Sequence, residues 1–339
     1  MQRRFFIKKA SAGFLGLGML PGIFRNGYGN VADKKSEPGC VTIVENQVRF
    51  FTKAVTEPLN VAFIADSHLH HYDDRELPYR QYSDRMAGAY NQTRHFRSGE
   101  LTNPKECFDQ TLNHGVESGS DLVILGGDIF SFPSEAAIEW AYNKLEEAGI
   151  PYLYVAGNHD WHYEGMEGSL EHLRAKWIEK RLLPLYHGKN PMMSFKDVKG
   201  VRFLAIDNST YQISDEQLAF FRKQVQSGMP LVLVMHIPLY APGRSISYGC
   251  GHPDWGAQTD KNYKLERRPR WPEGGHTQTT MDFHREVFSA PNLLGVFAGH
   301  VHRQSMEMIN GKPQFVSDDN ASGAFLDIQF KHHSSKIKH

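Results

Sequence analysis

The sequence predicts an α/β protein in which a mixed sheet, or two sheets packed face to face, carries helices on the outside. Six short apolar runs, Val61–Ile64, Leu122–Leu125, Tyr152–Val155, Phe203–Ile206, Leu231–Val234 and Gly295–Ala298, read as buried parallel strands, because they lack the polar alternation of half-exposed ones. Helical patterns stand between these runs, and both ends of the folded region are rich in β signals.

The N-terminus comes first in order. The first thirty residues hold five Lys/Arg and no acid, and Arg3-Arg4-Phe5-Phe6-Ile7-Lys8 precedes a weakly apolar stretch from Ala10 to Phe24. Residues 1–29 therefore resemble a twin-arginine export signal, with small Gly27 and Gly29 fitting a cleavage site. This implies a periplasmic or other extracytoplasmic location and the twin-arginine export machinery as a partner. The stretch is too short, and too rich in Gly and Pro21, for a stable membrane span. Residues 30–40 read as a polar linker, residues 41–332 as one folded domain and residues 333–339 as a tail.

Within the domain, Val41–Val44 and Val48–Phe51 flank Glu45-Asn46-Gln47 as an opening hairpin, and Asn310-Gly311 is a hairpin turn between Met306–Ile309 and Gln314–Val316. Helices are predicted over about 104–118, 134–148 closed by Gly149, 168–182, 214–227 and 280–289, with Ser214 and Gln217 as a capping box. Residues 70–103 and 239–279 fit no regular element. The first carries Arg75, Arg80, Arg85, Arg94 and Arg97 among tyrosines, the second Trp255, Trp271, Arg267, Arg268 and Arg270, and both read as substrate walls.

Composition narrows the partners. The formal net charge is zero, so setting aside the five N-terminal cations leaves the rest at −5, which makes a nucleic-acid polymer an unsuitable partner. Three cysteines, Cys40, Cys107 and Cys250, allow at most one disulfide.

The chemistry gathers just past the strand ends, where α/β sheets bind ligands. Five of the six runs lead into metal-ligand residue types, which together give Asp66, His68, Asp128, Asn158, His236, His300 and His302. Asp66 and His68 are two apart, as are His300 and His302, so on an extended segment each pair points one way. Either pair alone is weak, since Asp160-Trp161-His162 and His68-Leu69-His70 repeat the same spacings. Oxygen and imidazole donors without thiolate suit Mn, Fe or Zn, and two such ions can clamp the attacking and leaving oxygens of a phosphoryl displacement.

The ordered set is more specific than its parts. Asp66-x-His68, Gly126-Gly127-Asp128, Gly157-Asn158-His159-Asp160, His236 and Gly299-His300-x-His302 together resemble the calcineurin-like metallophosphoesterase family, over about Val61 to His302. The resemblance implies a four-layer αββα sandwich of two mixed sheets flanked by helices. It gives Asp66, His68 and His302 to one divalent metal ion, Asn158, His236 and His300 to a second, and Asp128 to both. A hydroxide held between the ions is the implied nucleophile. His159 falls where the family places a catalytic histidine beside the metals, and Asp160 supports His159 or a neighbouring ligand, or caps the next segment. Gly126, Gly127, Gly157 and Gly299 are expected to bend the backbone off each strand.

Other residues are set aside. Turn chemistry accounts for Asp207-Asn208, exposed loops for His70, His71 and His162, and Cys250 with His252 lacks a second metal-binding pair. Ser131 and His68 occupy positions where purple acid phosphatases carry tyrosine and glycine, so a charge-transfer iron site of that type is not expected. The pattern is similar to the bacterial phosphodiesterase branch. The expected function is hydrolysis of a small-molecule phosphoester, a phosphodiester or nucleotide-like compound before a phosphomonoester. A non-catalytic binding protein would not need the complete ligand set with His159, and a DNA-repair nuclease of the family conflicts with the export signal and the charge.

Overall fold

Two six-stranded sheets pack face to face in the computed structural model, which describes residues 40–256, 258 and 273–333. The segment 1–29 expected to be an export signal, nearly all of the expected linker, most of the C-terminal tail, and Arg267, Arg268, Arg270 and Trp271 lie outside the described residues.

The first sheet collects β1 (Cys40–Val44), β2 (Gln47–Thr52), β3 (Leu59–Ile64), β4 (Leu122–Leu125), β5 (Tyr152–Tyr154) and β12 (Leu326–His332), in the order β1-β2-β12-β3-β4-β5. The second collects β6 (Met193–Val198), β7 (Val201–Ile206), β8 (Leu231–Val234), β9 (Leu293–Ala298), β10 (Ser305–Ile309) and β11 (Lys312–Val316), in the order β10-β11-β9-β8-β7-β6. In each sheet the three apolar runs lie side by side and parallel, β3-β4-β5 and β7-β8-β9. Parallel pairing aligns the three ends within each sheet, and side chains just past the ends of β3 and β4 in one sheet and β8 and β9 in the other come together at one edge of the sandwich. The opening hairpin pairs Cys40 with Phe51 and Val44 with Gln47, and the closing hairpin turns through Asn310-Gly311 between Ile309 and Lys312.

Strands buried on both faces explain the uninterrupted apolar runs. One face of β3 and β4 gives Val61, Phe63, Leu122 and Ile124 to a layer shared with Phe203, Val232, Val234, Phe297 and Phe315 of the second sheet. The other face gives Ala62, Ile64, Val123 and Leu125 to a layer with Phe108, Leu112, Ala137, Leu145 and Trp177 of the helices. These helices are α2 (Pro104–Glu117), α3 (Glu135–Ala148) and α4 (Leu170–Trp177), while α5 (Asp215–Gln226) and α6 (Gln278–Val287) pack against each other beside the second sheet. Caps fix the boundaries: Asn103 caps α2, Ser134 caps α3, Gly149 closes α3 in the left-handed conformation, and Ser214 and Gln217 form the expected box on α5.

Three local expectations are corrected. Residues 70–103 do hold regular structure, a 3₁₀ turn over Asp74–Tyr79 and the helix α1 (Arg80–Ala89), whose register the polar composition conceals. The helix predicted over 168–182 ends at Trp177 and widens into a π turn over Ile178–Leu182. Strands β6 and β12 were not anticipated, because their residues alternate between buried and exposed faces rather than forming apolar runs.

The turn before α1 is held by a buried network. Arg181 Nη1 donates to Glu76 Oε2 at 3.2 Å and to Tyr163 Oη at 2.7 Å, and Tyr163 Oη donates to Glu76 Oε1 at 2.6 Å. Burial raises the Glu76 carboxyl, against the opposing pull of Tyr163 and Arg181. Removing one partner of such a pair leaves a buried charge unmatched, a cost of about 3–5 kcal/mol.

Candidate dinuclear metal centre

Two groups of three ligand-type side chains converge at the strand ends: Asp66, His68 and His302, and Asp128, His236 and His300. The first group follows β3 and β9, the second β4, β8 and β9, so both sheets contribute to each. Within the first, Asp66 Oδ1 lies 3.2 Å from His302 Nε2 and 4.0 Å from His68 Nε2, and the two imidazole Nε2 atoms are 3.0 Å apart. Within the second, Asp128 Oδ2 lies 3.1 Å from His236 Nε2. The resemblance implies Asp66, His68 and His302 at one metal, His236 and His300 at a second and Asp128 at both; the geometry sets Asp128 beside His236 and His300. Asn158 is fully buried just past β5, between Gly157 and His159.

The two-residue spacing works differently from the expectation. Asp66, His68, Asp128, His300 and His302 all have positive φ, from 47° to 74°, so the segments beyond β3 and β9 are not extended strand. Left-handed backbone is uncommon outside glycine, although Asp and His tolerate it better than most, and such strain clusters at functional sites. Hydrogen bonds hold these turns: Asp66 N to Gly127 O at 3.0 Å, His68 N to Asp128 O at 3.0 Å, and His300 N to Asp66 Oδ2 at 2.8 Å. Gly157 and Gly299 provide space rather than a bend, since a Cβ would meet the Asp128 carboxylate at Gly157 and the Asp66 carboxylate at Gly299.

The donors fit borderline divalent cations. Asp66 Oδ1 is buried and takes no hydrogen bond among the described residues, although two imidazoles surround it. A buried carboxylate oxygen in that position is matched by a cation. Each group supplies one carboxylate and two imidazoles and no thiolate, the donor set of Mn, Fe or Zn. His236 Nδ1 pairs with Gly126 O at 2.9 Å, which leaves Nε2 toward Asp128 and fixes the ring.

Electrostatics divides the imidazoles into two kinds. Burial pulls His236 down, but the Asp128 carboxylate outweighs it and raises the group to about 9. His302 is raised to about 8 by Asp66 against burial. Burial and the imidazoles of His302 and His159 hold His68 well below its ordinary value, and burial with His236 does the same to His300. Burial opposes the Asp128 charge, yet His236 and His159 bring its carboxyl well below the usual range.

His159 borders both groups. Its backbone N–H donates to Asp128 Oδ1 at 2.7 Å, its Nδ1 lies 3.2 Å from the Ser131 carbonyl, and its ring meets His68 edge-on at 5.1 Å. Of the roles expected for Asp160, the geometry matches support of a neighbouring ligand-type residue, Asp128, through its backbone. Asp160 Oδ2 accepts from the N–H of Asp128 at 3.0 Å and of Gly157 at 2.7 Å, and its Oδ1 from the N–H of Phe130 at 2.8 Å, so it ties the β4 and β5 ends together. Burial and the nearby Asp128 charge push Asp160 up to about 7, against those donors.

Two tyrosines at the site carried no sequence motif. Tyr90, just after α1, stacks on His68 with centroids 4.0 Å apart and meets His159 edge-on at 5.0 Å. Tyr211 Oη lies 2.9 Å from His300 Nε2, and its ring stacks on Trp255, which stacks in turn on His276. Tyr211 also has positive φ, and Gly249 leaves the room that its ring fills.

The residues set aside behave unevenly. Asp207 accepts from the Ser209 N–H and hydroxyl, as turn chemistry predicts, whereas Asn208 reaches across to both the N–H and the carbonyl of Ile237, next to His236. His162 is buried rather than exposed, and Cys250 Sγ accepts from Asn208 Nδ2. Four arginines of the first insertion are held by acids: Arg75 pairs with Asp73, Glu135 and Glu139, Arg80 with Asp84, Arg85 with Glu164 and Arg97 with Glu45. Trp255 is buried under Tyr211 and packs the second insertion.

Fold and site together define a four-layer sandwich with two Asp-His-His groups at the strand ends, the class to which calcineurin-like phosphoesterases belong. The chain belongs to the calcineurin-like phosphoesterase family, whose model matches residues 59–304 and which is dimetal-dependent. It is 25% identical over 212 residues to a probable cyclic nucleotide phosphodiesterase of Psychrobacter sp., covering 60% of this chain and 53% of that one. It is 46% identical over 55 residues to a probable cyclic nucleotide phosphodiesterase of Moraxella catarrhalis, covering 16% of this chain and 19% of that one. The matches thus span about half the length of the first relative and less of the second. The crystal structure of a dimetal phosphatase from Danio rerio is similar in fold, with a TM-score of 0.50 and 12% identity over 79% of this chain and 92% of that one. No helix among the described residues is long and apolar enough to cross a membrane.

Proposed function

We propose that this chain hydrolyses phosphodiesters or nucleotide-like phosphoesters at a dinuclear centre held by Asp66, His68, His302, Asp128, Asn158, His236 and His300. Mn, Fe or Zn would lie between these side chains, with Asp128 shared. The observation that supports this most is the convergence of two Asp-His-His groups from both sheets, one of them with a buried carboxylate oxygen lacking a hydrogen-bond partner among the described residues. Two divalent cations, when bound, supply Lewis-acid polarisation of the phosphoryl oxygens and an acidified water.

The chain's own groups do the remaining work. The Ser131 carbonyl accepts from His159 Nδ1, which leaves Nε2 to hand a proton to the departing oxygen. Asp160 holds the backbone of Asp128 and Gly157, so the shared carboxylate stays in place as charge builds on phosphorus. Tyr90 covers His68 and one side of His159, which restricts water on that side. Neutral Asn158 limits the negative charge that faces an anionic substrate.

The test is elemental analysis of metal-loaded protein with parallel assays on bis(p-nitrophenyl) phosphate and p-nitrophenyl phosphate. Two metals per chain with faster turnover of the diester is the expected result. Monoester-only turnover replaces the diester reading, and two bound metals with neither activity removes the enzymatic one.

A further inference from the structure

We propose a subsite for a second negatively charged group of the substrate in the cavity that the first insertion builds beside the metal centre, which makes organic phosphoesters with an additional phosphate or carboxylate the preferred class. This rests on the phosphoesterase function proposed above and narrows its substrate.

The cavity, of about 320 Å³, is lined by His70, His71, Tyr72, Asn91, Asn103 and Lys105, with Pro104 beside them. Its walls begin where the site ends. His70 lies two residues after His68 and is tied to its carbonyl, His70 Nδ1 to His68 O at 3.1 Å. Asn91 follows Tyr90, the ring stacked on His68. A substrate whose phosphorus sits at the centre can therefore reach the cavity past Tyr90.

Its chemistry is one-sided. The lining offers one ammonium, two imidazoles, two carboxamides and a phenol, and no carboxylate. Two of these groups are already engaged, His70 as above and Asn103 as the cap of α2, where it accepts from Glu106 N–H at 3.1 Å. The His71 imidazole, the Asn91 amide and the Lys105 ammonium make no hydrogen bond or ion pair among the described residues; Lys105 and Asp73 lie close enough to His71 to act on its charge, and Lys105 Nζ rests over the Trp140 ring, 4.7 Å from its centroid. The contrast with the insertion's arginines decides the assignment. Arg75, Arg80, Arg85 and Arg97 are neutralised by acids, whereas Lys105 is a cation without a carboxylate partner at the wall of a cavity. Asp73 acts on His71 and Glu106 Oε2 accepts from Asn103 Nδ2 at 3.3 Å, but Lys105 and the Asn91 amide have no acid partner among the described residues. Donors with a positive charge on a lining that carries no carboxylate of its own recognise an anion, where an uncharged ester arm gains little.

A matched pair of nucleotides tests this in the full metal-loaded chain. Thymidine 5′-phosphate and thymidine 3′,5′-bisphosphate differ only by the second phosphate, and each is assayed as an inhibitor of bis(p-nitrophenyl) phosphate hydrolysis and, in parallel, by equilibrium dialysis. The bisphosphate is expected to bind about tenfold more tightly, with the ratio shrinking as salt rises. In the double variant Lys105→Ala, His71→Ala the ratio is expected to fall to about one, with the monophosphate affinity unmoved. Lys105→Gln serves as the second variant where the alanines lower the thermal midpoint. Equal affinities in the unaltered protein, or a ratio that survives in a folded variant, overturn the subsite. Absence of hydrolysis with both metals bound instead removes the enzymatic reading, and dialysis still reports the bisphosphate preference.

Discussion

The hydroxyl of Tyr211 lies 2.9 Å from Nε2 of His300, so the outer nitrogen of this imidazole is held by a residue that follows the end of β7. Such partners fix ring orientation, and their loss lowers metal affinity about 10–100-fold. Tyr211→Phe is accordingly expected to weaken the site that contains His300 by about tenfold in a metal titration while the thermal midpoint of the metal-free protein holds. Unchanged affinity would mean that the Tyr211 ring only packs against Trp255.

His159→Gln retains the metals, because His159 is in neither group of ligands. Its rate is expected to fall by about 10²–10⁴-fold on esters with poor leaving groups and by much less on p-nitrophenyl esters. A uniform loss across leaving groups would contradict proton donation from this imidazole.

Asp160→Asn replaces a carboxylate that accepts three backbone N–H groups. An amide nitrogen cannot accept, so at least one buried N–H loses its partner, at a cost of about 1–3 kcal/mol. Denaturant unfolding of the variant should show that loss together with weaker metal binding, and a fully stable variant would show that other acceptors replace the carboxylate.

The metal-free protein has its own pH dependence. His302 and His236, raised to about 8 and 9 from 6.5, contribute stability that is fully present below 6.5 and disappears as pH climbs through those values. His68 and His300 are lowered, so below 6.5 the unfolded chain takes up their protons first and the folded state loses ground. Chelator-treated protein is therefore expected to have its highest thermal midpoint near pH 6.5 and to lose stability from there to about pH 9. A midpoint that keeps rising to pH 9.5 would rule this out.

Export is testable without a structure. Replacing Arg3-Arg4 with Lys-Lys is expected to retain the protein in the cytoplasm, as read by cell fractionation, if the twin-arginine machinery carries it. Undiminished export would assign the general secretory route.

Much of this molecule could be read from its residues, for identifiable reasons. Runs such as Leu122–Leu125 are buried on both faces, so their composition is almost purely apolar and their ends point to the ligands. Strand β12 was hidden because Asp327, Gln329 and Lys331 alternate with Leu326, Ile328 and Phe330, although it lies between β2 and β3 inside the first sheet. The ligands were legible because metal chemistry restricts residue type. Tyr90 and Tyr211 were not, since a ring that stacks on or bonds to a ligand follows no spacing, and only the three-dimensional path of the first insertion and of the segment after β7 brings it there. The arginines of residues 70–103 misled for the opposite reason: besides the local partners Asp73 and Asp84, they pair with Glu135 and Glu139 of α3, Glu164 and Glu45, which are distant in sequence.

The left-handed turns at the ligands bear on how far such a motif can be transplanted. Asp160-Trp161-His162 spells the same letters as Asp66-Ser67-His68, yet neither Asp160 nor His162 has positive φ, and neither is part of the two metal-type groups among the described residues. What separates the working copy from the silent one is backbone conformation, imposed by neighbours such as Gly127, Asp128 and Gly299. A designer who grafts the three letters onto a regular strand inherits the spelling without the turn, so the smallest transferable unit is the pair of facing strand ends with their glycines.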